Sequence, residues 1–70
     1  MDNKVVVAGH EVTILEKKES HSGAYIVLTH GFNEVTPYVV WRYYPERNEF
    51  LSGNYCETLK GALNMFDDRN

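Results

Sequence analysis

Few side chains in this chain could do covalent or metal chemistry, and their spacing works against it. His10 opens one predicted strand and His30 closes its hairpin partner, which would bring two imidazoles to one edge of a sheet, with His21 at the opposite end. Two imidazoles without a third suitable donor make a poor zinc site, since zinc takes three or four protein ligands. Cys56 is the lone cysteine, and nothing beside it in sequence except a helix start would activate a thiolate. It reads as a small apolar residue at a strand end. Asp67 and Asp68 are adjacent on a predicted helix and face different directions, so they serve as solubilising charge rather than as a paired acid and base. The sequence holds no Gly-x-Ser-x-Gly and no Gly-rich phosphate loop. The expectation is a protein that is not an enzyme, with no catalytic residue, no metal and no cofactor.

What remains is binding chemistry, concentrated in residues 38–66. Tyr38 to Tyr44 are aromatic, β-branched or Arg, the types that suit a pleated, half-buried surface. Pro45-Glu46-Arg47-Asn48 is a turn, because Pro presets φ at the first corner and Asn tolerates the left-handed conformation needed to leave it. The period then changes from two to 3.6. Leu59, Ala62, Leu63 and Phe66 form an apolar stripe of about two helical turns, with Thr58 as N-cap. A helix this short, with Gly61 inside it and two Asp at its end, is marginal alone and must form by docking on the sheet. Leu59, Leu63 and Phe66 are the expected docking residues, and Gly61 would admit a sheet side chain that passes close to the helix.

Strands are predicted at 4–8, 11–18, 24–30, 37–44 and 49–55, with the helix at 58–67. Residues 24–30 are almost continuously apolar, which suits a central strand, and the short connections favour sequential antiparallel neighbours. The fold class is therefore α+β: an antiparallel meander of four or five strands with one C-terminal helix packed on one face. The place of the first strand in the sheet stays open at this point. Seventy residues make one domain, 1–70, near the low end of what a single core stabilises. Seven basic and ten acidic residues leave a net charge of −3, ill suited to affinity that rests on neutralising phosphates. An unpaired cysteine and the lack of a long apolar run fit a cytoplasmic protein without a membrane segment.

The fourth and fifth strands carry large side chains on both faces. Counting across the Pro45 turn sets Tyr43 opposite Phe50 and Trp41 opposite Ser52, which groups Val39, Trp41, Tyr43 and Phe50. The other face collects Tyr38, Val40, Arg42, Tyr44 and Leu51, and Tyr55 joins it unless a bulge at Gly53 carries it across. One helix covers one face, so the second should meet a partner, either a different protein or a second copy in a homodimer. The expectation is a protein-interaction module whose partner-binding residues are Tyr38, Val40, Arg42, Tyr44 and Leu51, on the face away from the helix.

The run YVVWRYYPERNEFLSGNY followed by ETLKGALNMF resembles the three-stranded sheet and helix of the AP2-like arm-binding domains of phage integrases. In that family the sheet face lies in the DNA major groove. The resemblance implies an alternative, DNA binding through Arg42, Tyr44 and Arg47, with Gly53, Tyr55, Thr58 and Ala62 matching structural positions of the motif. At whole-chain level the sequence is similar to small proteins of phages and mobile elements of Gram-positive bacteria, which implies a regulator or inhibitor of a host protein. Glu46, Glu49 and Glu57 lie beside the few arginines and favour protein over nucleic acid as partner.

Overall fold

Turn chemistry sets the path of the chain. The computed structural model describes residues 3–69, the side chain of Ser22 excepted; Met1, Asp2 and Asn70 lie outside the described residues. Five strands, β1 (Lys4–Val7), β2 (His10–Glu19), β3 (Tyr25–His30), β4 (Tyr38–Tyr44) and β5 (Glu49–Cys56), precede one helix, α1 (Leu59–Asp68). Each strand pairs antiparallel with the next, in the order β1-β2-β3-β4-β5. This is the expected α+β meander, with the first strand at the outer edge. Ala8 and Gly9 reverse the chain with φ of 51° and 81°, the left-handed pair that a two-residue hairpin needs. At the β4–β5 hairpin the Arg47 and Asn48 amides donate to the carbonyls of Tyr44 and Pro45, each at 3.2 Å. Asn48 leaves that turn with φ 51°, the role its side chain suits.

The sheet is curled and carries buried side chains on both sides. On one side Ile26, Leu28 and Val40 meet Ala62 and Phe66 of the helix, with Tyr38, Cys56 and Met65 half-buried around them. On the other side Val7 and Val12 from the β1–β2 end reach Val39 and Trp41 of β4, and Val5, Phe32 and Phe50 pack against this cluster. That curl hides what the helix does not. Trp41 is 4% exposed, and its Nε1 donates to Thr29 Oγ1 at 2.9 Å while Thr29 Oγ1 donates to the Val39 carbonyl at 3.1 Å. The whole chain exposes 4643 Å², close to the ~4,500 Å² expected of a folded monomer of this mass. One helix was expected to leave the second face partly open; the curl buries Val39 and Trp41 there, while Tyr43, Phe50 and Tyr55 keep exposure.

Two bulges separate the strands from simple alternation. In β2 the register shifts between Ile14 and Glu16, so Val12 and Ile14 share one face while Glu16 falls on the other. In β5 the shift lies opposite Trp41, between the pairs Val40–Asn54 and Arg42–Leu51. Ser52 takes φ 54° there. A Cβ on Gly53 would stand 2.8 Å from the Trp41 ring and 3.2 Å from Val39 Cγ1, so only glycine fits beneath the indole. The bulge carries Tyr55 to the Trp41 side, where it pairs with Val39.

The helix begins as expected, with Thr58 Oγ1 accepting from the Gly61 amide at 3.1 Å. Its docking stripe is rotated from the expected one. Ala62 and Phe66 are buried and Met65 is half-buried, whereas Leu59 and Leu63 remain 43% and 38% exposed. Residues 62, 65, 66 and 69 share the inward side, and Arg69, just past the helix end, reaches the sheet from it. Gly61 is exposed, and the nearest atom to a Cβ built on it is Thr58 Oγ1 at 3.2 Å, so no sheet side chain requires it.

Candidate protein-interaction surface

Strand parity places Tyr38, Val40, Arg42 and Tyr44 on the side of the sheet that the helix packs against, not the side away from it. The register makes this plain, since Val40 pairs with Leu28 and Arg42 with Ile26, two residues of the helix-side core. Val40 is fully buried and cannot touch a partner. Tyr38 packs against the helix cluster and against His30, with ring centroids 4.8 Å apart. Val40 is thereby removed from the surface, and Tyr38 keeps only part of its ring exposed. The sequence could not tell which face the helix takes, because both faces of β4 are apolar enough to receive it.

Beyond the helix the same face opens. Lys18 pairs with Ile26, which pairs with Arg42, and the Lys18 ammonium sits 4.8 Å from the Phe66 ring and donates to the Asp67 carbonyl at 3.5 Å. Arg42 therefore lies level with the end of the helix and Tyr44 past it. Arg42 is half-buried, with Nη1 donating to Ser20 Oγ at 3.0 Å. Its cross-strand partner Leu51 is 42% exposed. Tyr44 is half-buried beneath the Arg47 guanidinium, which stands 4.6 Å from the ring centre. Arg47 also pairs with Glu49 at 3.3 Å, both well exposed. A half-open hollow of about 250 Å³ lies here, lined by Gly23, Tyr44, Pro45, Glu46 and Arg47. The structure thus gathers Arg42, Tyr44, Arg47 and Leu51 at one end of the sheet.

Arg69 is the residue that pattern reading missed. Its Nη1 donates to the carbonyls of Val40 at 3.0 Å and Ser52 at 2.7 Å, and to Asn54 Oδ1 at 2.6 Å. Burial, and secondarily the nearby Arg42 charge, lower its pKa from the ordinary arginine value. The two guanidiniums are neighbours on this face, because Val40 and Arg42 are two apart on one strand side. The signal in sequence was the Ser52-Gly53 bulge, whose freed carbonyls call for a donor, but no periodic rule points to a residue past the helix end.

The opposite face holds a row of rings. His10 and Phe32 have centroids 4.4 Å apart, Phe32 and Tyr55 5.4 Å, Tyr55 and Trp41 5.9 Å, Trp41 and Phe50 6.2 Å, and Phe50 and Tyr43 4.4 Å. These edge-on and tilted contacts cement the curl. Asn33 fixes the covering loop, its Oδ1 accepting from the Val35 and Thr36 amides at 2.9 and 2.6 Å. Tyr55, 52% exposed, and Val35, 72% exposed, are the surface this side presents.

The histidines do not converge. His10 meets Phe32 on the Trp41 side, whereas His30 meets Tyr38 on the helix side. Among the described residues no group of three or more His, Cys, Asp or Glu is placed to hold a metal ion. Cys56 is half-buried, its Sγ 3.8 Å from the Asn54 carbonyl. Among the described residues, too, no helix is long and apolar enough to cross a membrane. Compared with protein-family models, curated proteins and solved structures, the chain has no significant match in any of the three.

Proposed function

We propose that this protein is a non-enzymatic protein-interaction module that meets its partner with the helix-free end of the helix-packed face. Arg42, Tyr44, Arg47 and Leu51 are the contact residues. The observation that carries this reading is their convergence beside the hollow at the β4–β5 hairpin. Tyr and Arg dominate the energetics of protein interfaces, and these side chains are held in place by Ser20, Glu49 and each other. Regulation or inhibition of a host protein, of the kind small phage and mobile-element proteins carry out in the cytoplasm, is the biological form this takes.

DNA binding through Arg42, Tyr44 and Arg47 is the second reading, and the proximity of these three residues favours it. Their acidic neighbours Glu46 and Glu49, and the net charge of −3, weigh toward a protein. A homodimer through this end is the third form, read directly by light scattering on the purified protein.

Capture from a lysate of the source cells tests the first reading. Immobilised wild type is compared with Tyr44→Ala/Leu51→Ser and with Tyr55→Ser on the opposite face. A partner retained by Tyr55→Ser and lost by the double variant supports the proposal. A partner lost only by Tyr55→Ser moves the interface to the ring side and overturns it.

A further inference from the structure

We infer that β1 is the edge through which two copies of this chain pair, antiparallel and about a two-fold axis at Val6. This surface is separate from the interaction end proposed above and does not depend on it. β1 is the outermost strand, and among the described residues no strand pairs with its far side. The Ala8-Gly9 reversal makes Val7 and His10 the closing pair of the hairpin, and at the other end the Ile14 amide donates to the Asn3 carbonyl at 2.8 Å. In an antiparallel ladder, bonded pairs alternate with unbonded ones. Val7, Val5 and Asn3 therefore turn their backbone groups toward β2, and Val6, opposite Glu11, turns its N–H and C=O outward. Among the described residues no backbone bond reaches Val6 from that side, and Val6 is 67% exposed.

The two edges of the sheet differ in how they are guarded. At β5 the ladder is broken by the Ser52-Gly53 bulge, Ser52 stands at φ 54°, and Arg69 occupies the Ser52 carbonyl. Bulges and charges of this kind keep an edge from pairing. Across Val5-Val6-Val7 there is no bulge, proline or charge, and the register with β2 runs unbroken. Three successive β-branched residues favour an extended backbone, so this edge is already shaped to receive a strand.

An outward N–H and C=O on a strand edge call for another strand, and the residues here select a second copy. A two-fold axis at Val6 makes the two Val6 residues the doubly bonded pair and sets Val5 against Val7 on either side, in the closer, unbonded pairing. Rotation about the axis exchanges valine for valine, so the register is self-complementary. Val7 is buried and Val5 half-buried in the cluster with Val12, Val39 and Trp41, and pairing continues that cluster from one copy into the next. Lys4 comes opposite Ala8 of the second copy, so no lysine faces a lysine. β1 is four residues long, and pairing over it buries less than about 1,200 Å², the size below which association is weak and transient. The dimer therefore forms in a concentration-dependent way.

The test is sedimentation equilibrium, from micromolar to millimolar protein, on the wild type, Val6→Pro and the Tyr44→Ala/Leu51→Ser variant. Proline at position 6 removes the outward N–H and breaks no bond to β2, which is where an edge strand tolerates it; melting temperature and a dispersed amide spectrum confirm that the variant folds. The expected result is a wild-type dimer weakened about tenfold or more by Val6→Pro and unaltered by the double variant. Equal dimerisation of Val6→Pro, or loss through the double variant instead, overturns the inference. So does a wild type that stays monomeric at millimolar concentration, in which case a Val6 amide shifted by an added peptide alternating Thr and Val reassigns the edge to a foreign strand. If Val6→Pro does not fold, Val6→Cys in a Cys56→Ser background decides by oxidation, because a doubly bonded pair sets its Cα atoms about 5.5 Å apart, within disulfide reach. Position 35, 72% exposed on the opposite face, gives the control as Val35→Cys in the same background. A covalent dimer forming about tenfold or more faster from position 6 supports the pairing, and equal rates overturn it.

Discussion

The guanidinium of Arg69 donates to the backbone carbonyl of Val40 at 3.0 Å across a separation of 29 residues. Val40 is fully buried, and its carbonyl stands where the β5 bulge interrupts the ladder with β4. With Ser52 and Asn54 as further acceptors, one side chain ties the end of the helix to the irregular point of the sheet. The bulge, the end of the helix and Arg69 are parts of one arrangement.

Removing that tie leaves carbonyls without a donor in a partly dry site. Arg69→Ala should cost about 1–3 kcal/mol, the range for a partner lost from a buried polar group, seen as a lower urea midpoint. Arg69→Lys should recover only part of it, since an ammonium lacks the planar fork. An unchanged midpoint in Arg69→Ala would take the clasp out of the folding energetics.

Gly53→Ala places a methyl group against the Trp41 ring at a distance real side chains do not tolerate. Overpacking of this kind costs about 1–3 kcal/mol. A fall in melting temperature accompanied by a changed Trp41 fluorescence spectrum is the expected outcome. Wild-type values for both would mean the indole moves aside freely.

The rotated helix stripe separates leucines that sequence periodicity treats as equivalent to Phe66. Phe66→Ala should cost about 3–5 kcal/mol as a buried ring, whereas Leu63→Ala, on a side chain 38% exposed, should cost about 1 kcal/mol or less by the smaller area involved. Denaturant melts of the two variants side by side check this. Equal losses would restore the stripe through Leu59, Leu63 and Phe66.

Much of the fold was legible because local chemistry and pattern agreed. Pro45 and Asn48 define their turn, Thr58 caps the helix, and the strands fall within a residue or two of where alternation puts them. Whatever depended on an interruption of pattern was not legible. The extra residue near Leu15 and the Ser52-Gly53 bulge reverse the faces downstream of them; Gly53 pointed to the second as an open alternative for Tyr55, and nothing in alternation announced the first. The side the helix presents also includes Arg69, a charged residue beyond the last apolar position, which apolar periodicity does not count. For the same reason Val40 looked like surface on parity alone, while Tyr38, Arg42 and Tyr44 are half-buried and Leu51 is exposed. The curl that buries Trp41 joins β1 to β4, a relation no neighbouring residues encode.

The most direct measurement of the proposed interaction surface is site-specific photo-cross-linking. Protein carrying p-benzoylphenylalanine at position 44, and separately at position 55, is irradiated in a lysate of the source cells, and the adducts are resolved on a gel and identified by mass spectrometry. These positions lie on opposite sides of the sheet, so each reports one face. An adduct to a distinct protein from position 44 and none from position 55 is the outcome expected of an interaction end built on Arg42, Tyr44 and Leu51. An adduct from position 55 alone, or from neither position, contradicts it.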